Sequence, residues 1–333
     1  MSTLHFEDVS IRYGSGRTAM TAVDRVDLVV PDGSIVGLVG ESGSGKSTLA
    51  RAAVGLIPVH SGRILLDGKP LTRRAGRRPV QMVFQDPYSS LDPRMTVGDS
   101  IAEAVPRRTD AAARRREVGR LLDLVEIGPA RSDAYPAQLS GGQRQRVAIA
   151  RALAARPEVV VADEITSALD VSIQGTVLNL VRTLQRDLNM SMLFISHNLA
   201  VVRYVASEIA VMYLGQIVEH GPTAEVLADP QHPYTKELLS AVPGTDGGLW
   251  GEGATGETAD ATLLEPADPH DPPPGCRYHL RCPVGPLVDP TREVCAATEP
   301  TTLHRHAAAC HFAEGLPPGS GPQAHPASKD AVR

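Results

Sequence analysis

The sequence predicts an α/β fold on a mainly parallel sheet, and three observations carry that expectation. From residue 4 to about 243, short apolar runs alternate with glycine-rich turns and helix-compatible stretches. Four runs, SIVGLVG (34–40), VQMVFQ (80–85), VVVAD (159–163) and MLFIS (192–196), are largely apolar until they end in polar residues, the pattern of strands buried on both faces. The first continues directly into GESGSGKS (40–47) and then TLARAAVGL, which can start a helix. In such sheets ligands sit at the carboxyl ends of the strands, so the polar residues closing these runs are where chemistry is expected.

Composition bounds the function. A chain of 333 residues with 42% hydrophobic content can bury a sizeable core. No run approaches the roughly eighteen apolar residues that span a bilayer, and MSTLHFEDVSIRYG lacks the basic-then-apolar layout of a secretory leader, so a cytoplasmic chain is expected. A net charge of −5 and 4% aromatic residues argue against a nucleic-acid partner. The basic run RRTDAAARRREVGR (107–120) reads either as a solvated helix face or as a nucleic-acid patch; its interrupting alanines and the following LLDLVEI favour the first.

Along the chain, residues 1–243 form the main domain, with a helical insertion at about 88–157 between the second and third runs. Residues 244–274, rich in Gly, Pro, Thr and Asp, are expected to be a linker. A small cysteine-bearing segment, 275–315, precedes a tail, 316–333, of disordered composition.

GESGSGKS fits GxxxxGKS in the strand-then-helix context that the motif needs. Gly40, Gly43 and Gly45 permit a tight turn whose N–H groups, with those of Ser42, Ser44 and Thr48, converge on phosphate at a helix N-terminus. Lys46 is expected to reach the β- and γ-phosphates, and the Ser47 hydroxyl to ligate Mg²⁺. The bland alternative, a glycine turn that happens to carry a lysine, does not account for both flanks. In VVVADE, Asp163 can complete the Mg²⁺ shell and Glu164 can act as the base that orients water for phosphoryl transfer; either could instead cap a helix.

A second anion site lies in LSGGQRQRVAIARAL (139–153), where Ser140 is a good N-cap and Gly141 and Gly142 leave the helix start unobstructed. With the Lys46 loop already cradling phosphate, the economical reading is that this end closes over nucleotide held by another subunit.

GESGSGKST, LSGGQ, VVVADE, SALD (167–170) and His197 after MLFIS, in that order, resemble the ATPase subunits of ABC transporters over about residues 1–243. The resemblance implies a P-loop core with an antiparallel β subdomain and a helical insertion. It implies that Gln85 links Mg²⁺ and the attacking water to a membrane partner and that Tyr13 stacks on adenine, although a tyrosine there can equally be packing. Ser140, Gly141, Gly142 and Gln143 match the signature that completes the opposite subunit's site, and Asp170 lies in the loop between the two. His197 can hold a γ-phosphate oxygen and keep Glu164 in geometry. Lys46, Gln85, Glu164 and His197 are thus the expected catalytic set. The family commonly has proline after the glutamate; here Ile165 follows, a departure that touches the loop's rigidity rather than its chemistry.

FQDPYSSLDPRMTVG (84–98), VMYLGQIVEHG (211–221) and HPYTKELLSAVPG (232–244) are similar to the second ATPase of bacterial oligopeptide and dipeptide importers. That implies a heterodimer with a different ATPase, two membrane permease subunits, an extracytoplasmic substrate-binding protein, and a peripheral place on the cytoplasmic face of the membrane. Three alternatives stay open: a related importer for nickel or other small cargo, a soluble ABC protein acting on ribosomes or DNA, and a metal-responsive module with a vestigial ATPase.

Cys276, Cys282, Cys295 and Cys310 fall within 35 residues, separated by five, twelve and fourteen residues. Spacing without CxxC suits a zinc ribbon poorly, whereas four thiolates suit a 4Fe-4S cluster. GCRYHLRCP followed by CHF resembles the C-terminal segment of peptide-importer ATPases, some of which carry such a cluster. Zinc, recruiting His304, His306 or His311, and no metal at all are the alternatives.

Overall fold

The computed structural model describes residues 2–14, 19–71, 79–86, 90–241, 268, 271–302 and 305–313. The expected linker falls outside these except for 268 and 271–274, and the expected tail falls outside entirely.

Strands β1 (Leu4–Tyr13), β2 (Met20–Val30), β4 (Ser61–Leu66) and β5 (Lys69–Pro70) form an antiparallel sheet in the order β2-β1-β4-β5. Strands β3 (Ile35–Val39), β6 (Val80–Val83), β7 (Val159–Asp163), β8 (Ser191–Ser196), β9 (Glu208–Tyr213) and β10 (Gln216–Pro222) form the second sheet, ordered β10-β9-β3-β8-β7-β6. From β9 through β6 it is parallel, and β10 returns antiparallel along β9. The four apolar runs of the sequence are therefore its four adjacent strands β3, β8, β7 and β6.

Both faces of this sheet are covered, which explains the unbroken apolar runs. Strand residues alternate between two cores. Ile35, Val39, Val160, Ala162, Met192 and Phe194 enter the core beneath the helices, while Val36, Leu38, Val159, Val161, Leu193 and Ile195 enter the core shared with β1. Each large apolar side chain buried this way contributes about 2 kcal/mol, so the loops at the carboxyl edge spring from a rigid base.

Helix α1 (Lys46–Ala53) follows the glycine loop. Between β6 and β7 lie α2 (Val97–Ala102), α3 (Ala111–Leu124) and α4 (Gly141–Ala154), packed on one another. Thr96, Asp110 and Ser140 cap them through side-chain oxygens, as their residue types favour. Helix α3 carries much of the basic run: Val118, Leu121 and Leu122 are buried, whereas Arg115 and Arg116 are exposed. Then come α5 (Val171–Leu188), which ends on Asn189 in the left-handed conformation, α6 (Leu199–Val205), α7 (Thr223–Ala228) and α8 (Pro233–Ser240). Ile165, standing where proline is usual, is buried in the helix-side core. Among the described residues no helix is long and apolar enough to cross a membrane.

The cysteine-bearing segment, with its short helix α9 (Val294–Ala297), packs on the main domain. Tyr278 is buried beside Tyr213 and Tyr234, with ring centroids 5.3 and 5.6 Å away, and Cys276 and Cys282 lie against the helix-side core.

Candidate active site

The glycine loop is shaped by backbone freedom. Gly45 stands at the N-cap of α1 with φ of 105°, and a Cβ there would meet the Ala22 carbonyl oxygen at 2.4 Å. No side chain caps the helix, so its first N–H groups face the loop as an anion cradle. Lys46 is buried and donates to the carbonyls of Gly40 (2.8 Å) and Glu41 (2.6 Å) and to Ser44 Oγ (3.2 Å). Burial pulls its pKa down, while the nearby carboxylates of Glu164, Asp163 and Glu41 act the other way. Ser42 and Gly43 are exposed at the rim; Tyr13, also exposed, meets Thr48 hydroxyl to hydroxyl at 3.3 Å.

Asp163 ends β7 buried and accepts from Ser47 Oγ at 3.0 Å. Burial raises its pKa, with the Ser47 bond opposing and the Glu164 charge reinforcing that shift. Because β6, β7 and β8 are neighbours in the sheet, the residues just past their carboxyl ends meet. Gln85 Nε2 donates to Glu164 Oε2 at 3.0 Å, and His197 Nδ1 lies 3.3 Å from the same oxygen. Glu164 has φ of 46°, a costly conformation for a side chain of its size, fixed by its N–H donating to the Ile195 carbonyl at 3.0 Å. Ser167, the first residue of SALD, donates to the Glu164 carbonyl at 2.9 Å and stands 3.3 Å from Gln85 Nε2, a contact that no local sequence signal announces.

Ser140 and Gln143 form a reciprocal cap at the start of α4: Ser140 Oγ accepts from the Gln143 N–H, and Gln143 Oε1 from the Ser140 N–H. A Cβ on Gly142 would fall 2.4 Å from Ile173 Cγ2, and one on Gly141 would touch Leu169. The helix start thus rests on the segment around Asp170, the N-cap residue of α5, whose side chain makes no capping bond.

The four cysteines are free thiols, and burial pushes Cys276 up to about 12 and Cys282 up to about 11, with Cys295 and Cys310 also raised. Among the described residues no three His, Cys, Asp or Glu side chains are placed to hold a metal ion, so the zinc alternative gains no ligand set there. His306 instead faces Glu219 at 3.5 Å, and His311 meets the Thr298 carbonyl at 2.8 Å. His304 lies outside the described residues, as do Tyr88 and Ser89 of the importer-like phrase. The iron–sulfur expectation gains no converging ligand triad either; Cys295 is buried, and Cys276, Cys282 and Cys310 are half-buried.

An anion cradle with a buried lysine on one side and an aspartate–glutamate pair on the other is the chemistry of a nucleoside-triphosphate-binding ATPase. Residues 23–167 match the ABC transporter family model, and residues 218–285 match the oligopeptide/dipeptide transporter C-terminal region. A probable peptide ABC transporter ATP-binding protein of Sinorhizobium fredii is 44% identical over 303 residues, covering 87% of this chain and 82% of the relative. A putative peptide import ATP-binding protein of Brucella abortus is 45% identical over 285 residues, 83% of each chain. A glutathione import ATP-binding protein of Escherichia coli is 51% identical over 235 residues, 67% of this chain and 37% of that one. Among solved structures, a subunit of an ABC transporter complex from Clostridium perfringens superposes with TM-score 0.62 at 28% identity, covering 68% of this chain and 90% of its own. An ATP-binding cassette seen as a post-hydrolysis dimer with ADP and phosphate does so with TM-score 0.59 at 26% identity, covering 66% and 98%. The chain belongs to the ATP-binding proteins of ABC transporters.

Proposed function

We propose that the chain is the peripheral ATP-hydrolysing subunit of a peptide importer, seated on the cytoplasmic face of the membrane. The observation that carries the hydrolytic part is the meeting of Gln85 and His197 on one oxygen of Glu164, beside the Lys46 loop. Glu164 is the general base; Gln85 and His197 hold its carboxylate in one orientation, so the proton acceptor is in place before water is. Lys46 and the N-terminus of α1 hold the triphosphate, and Tyr13 faces adenine. The paired hard oxygens of Ser47 and Asp163 fit Mg²⁺, with Gln85 able to join them; the raised pKa of buried Asp163 is a further sign that a cation belongs there. When bound, Mg²⁺ screens phosphate charge.

The capped start of α4, with Ser140, Gly141, Gly142 and Gln143, covers nucleotide on a neighbouring ATPase subunit, and Asp170 reaches the same interface. The neighbour is a second, different ATPase, and closure of the pair moves two membrane permeases supplied by an extracytoplasmic binding protein. Relatives named for peptide and glutathione import favour peptides over nickel or a ribosomal role. An affinity-tagged copy in its natural host should recover two permeases and a second ATPase from solubilised membranes. Recovery alone, or with ribosomes, overturns the assignment.

Four cysteines within GCRYHLRCP, CHF and the stretch between them, similar to the C-terminal segment of peptide-importer ATPases, support a 4Fe-4S cluster, which needs four thiolates. It would supply the core that this short segment lacks. Protein purified without oxygen should be brown, absorbing at about 400 nm, with about four irons per chain, as cubane ligation requires; colourless, iron-free protein of full ATPase activity would remove the cluster from the account.

A further inference from the structure

The phosphate loop is gripped from the cysteine-bearing segment. Arg281, next to Cys282, donates from both terminal nitrogens to the Glu41 carboxylate, at 3.1 and 3.0 Å, and also pairs with Glu237. Glu41 is the second residue of GESGSGKS. Its backbone N–H donates to Tyr234 Oη at 2.8 Å, and its carbonyl accepts from Lys46 Nζ at 2.6 Å. Tyr234 is fully buried against Tyr213, centroid to centroid 4.6 Å, and Tyr278 bonds Glu237, the other carboxylate of Arg281. A second hold lies alongside: Arg277, next to Cys276, donates to the Leu214 carbonyl and pairs with Asp24, while the Gly215 N–H donates to the Ser44 carbonyl at 2.9 Å.

These are not loose surface pairs, since the Arg281 and Arg277 side chains are 15% and 11% exposed. A forked guanidinium–carboxylate contact fixes direction as well as distance. Glu41 is therefore held at its side chain, amide and carbonyl, and the residues that follow it in the loop inherit that placement. Without Arg281, its carboxylate would stand unneutralised near the site of a triphosphate.

We infer that Arg281 is a positioning residue for ATP binding: acting through Glu41, with Tyr234 on the same residue's amide, it keeps the Lys46 loop in the form that receives phosphate. The thiol-bearing segment thereby sets nucleotide affinity. This rests on the reading of the loop as the ATP site.

The test compares full-length Arg281→Gln, Arg281→Lys, Glu41→Gln and the Arg281→Gln/Glu41→Gln double variant, each with a native circular-dichroism spectrum. Arg281→Gln should raise Kd for Mg-ATP and KM about tenfold, with kcat at saturating ATP within about twofold, a coupling typical of contacting residues. Arg281→Lys should recover part of that loss, because it keeps the charge without the fork. The double variant should be no worse than Arg281→Gln alone, and backbone amides of residues 41–47 should exchange faster. Wild-type affinity in Arg281→Gln, or strictly additive single effects, would overturn the inference. Should Arg281→Gln misfold, Glu41→Gln removes the same pairing from the loop side, and wild-type affinity there is equally fatal. Lys46→Ala separates the two readings: if it too binds ATP normally, the loop is not the nucleotide site; if it alone loses ATP, only the positioning role falls.

Discussion

Glu164→Gln should lower ATP turnover by roughly two to four orders of magnitude, the usual range for losing a general base, while nucleotide binding persists. The substitution preserves shape, so Gln85 and His197 keep a neighbour of the same size at 3.0 and 3.3 Å. What disappears is the proton acceptor and one of two adjacent negative charges, the other being on buried Asp163. Relief of that repulsion leaves triphosphate binding at least as favourable, so the variant should accumulate with ATP in the closed pair of subunits. Phosphate release under steady-state conditions, together with sedimentation in the presence of the companion ATPase, measures both halves. Near-normal hydrolysis would take the base away from Glu164.

Lys46→Ala should instead fail at binding, with affinity for Mg-ATP reduced by about a hundredfold or more, as removal of a charged hydrogen-bonding partner of phosphate implies. Lys46 is 4% exposed and is the donor for the carbonyls of Gly40 and Glu41 and the hydroxyl of Ser44. Its removal costs the phosphate its buried cation and the loop three internal bonds at once. Titration with a fluorescent ATP analogue reads the loss directly; unchanged affinity would mean that the triphosphate lies elsewhere.

The strands at Ile35–Val39, Val159–Asp163 and Ser191–Ser196 were legible because two-sided burial writes an uninterrupted apolar run. Asp163 and Glu164 were legible because they close and follow such a run, and Lys46 and Ser47 because GxxxxGKS between a strand and a helix is a local pattern. The meeting of Gln85, Glu164 and His197 was implied by family likeness alone, since it depends on β6, β7 and β8 being adjacent, and strand order is a long-range property. Arg281 was less visible still: it meets Glu41 across 240 positions of sequence, from a segment read for its cysteines. Tyr234 lies within HPYTKELL, a phrase that marks kinship, yet nothing in it announces that the tyrosine hydroxyl receives the Glu41 amide. Side-chain contacts between distant segments leave no local periodicity to read.

The seating of Gly142 on Ile173 has a mechanical corollary. There is no slack between the first turn of α4 and the first turn of α5, so the two chain reversals that would face a neighbouring molecule behave as one lever with a shared fulcrum. A displacement of Asp170 would pass undamped to Ser140, so whatever moves one of these reversals moves the other with it.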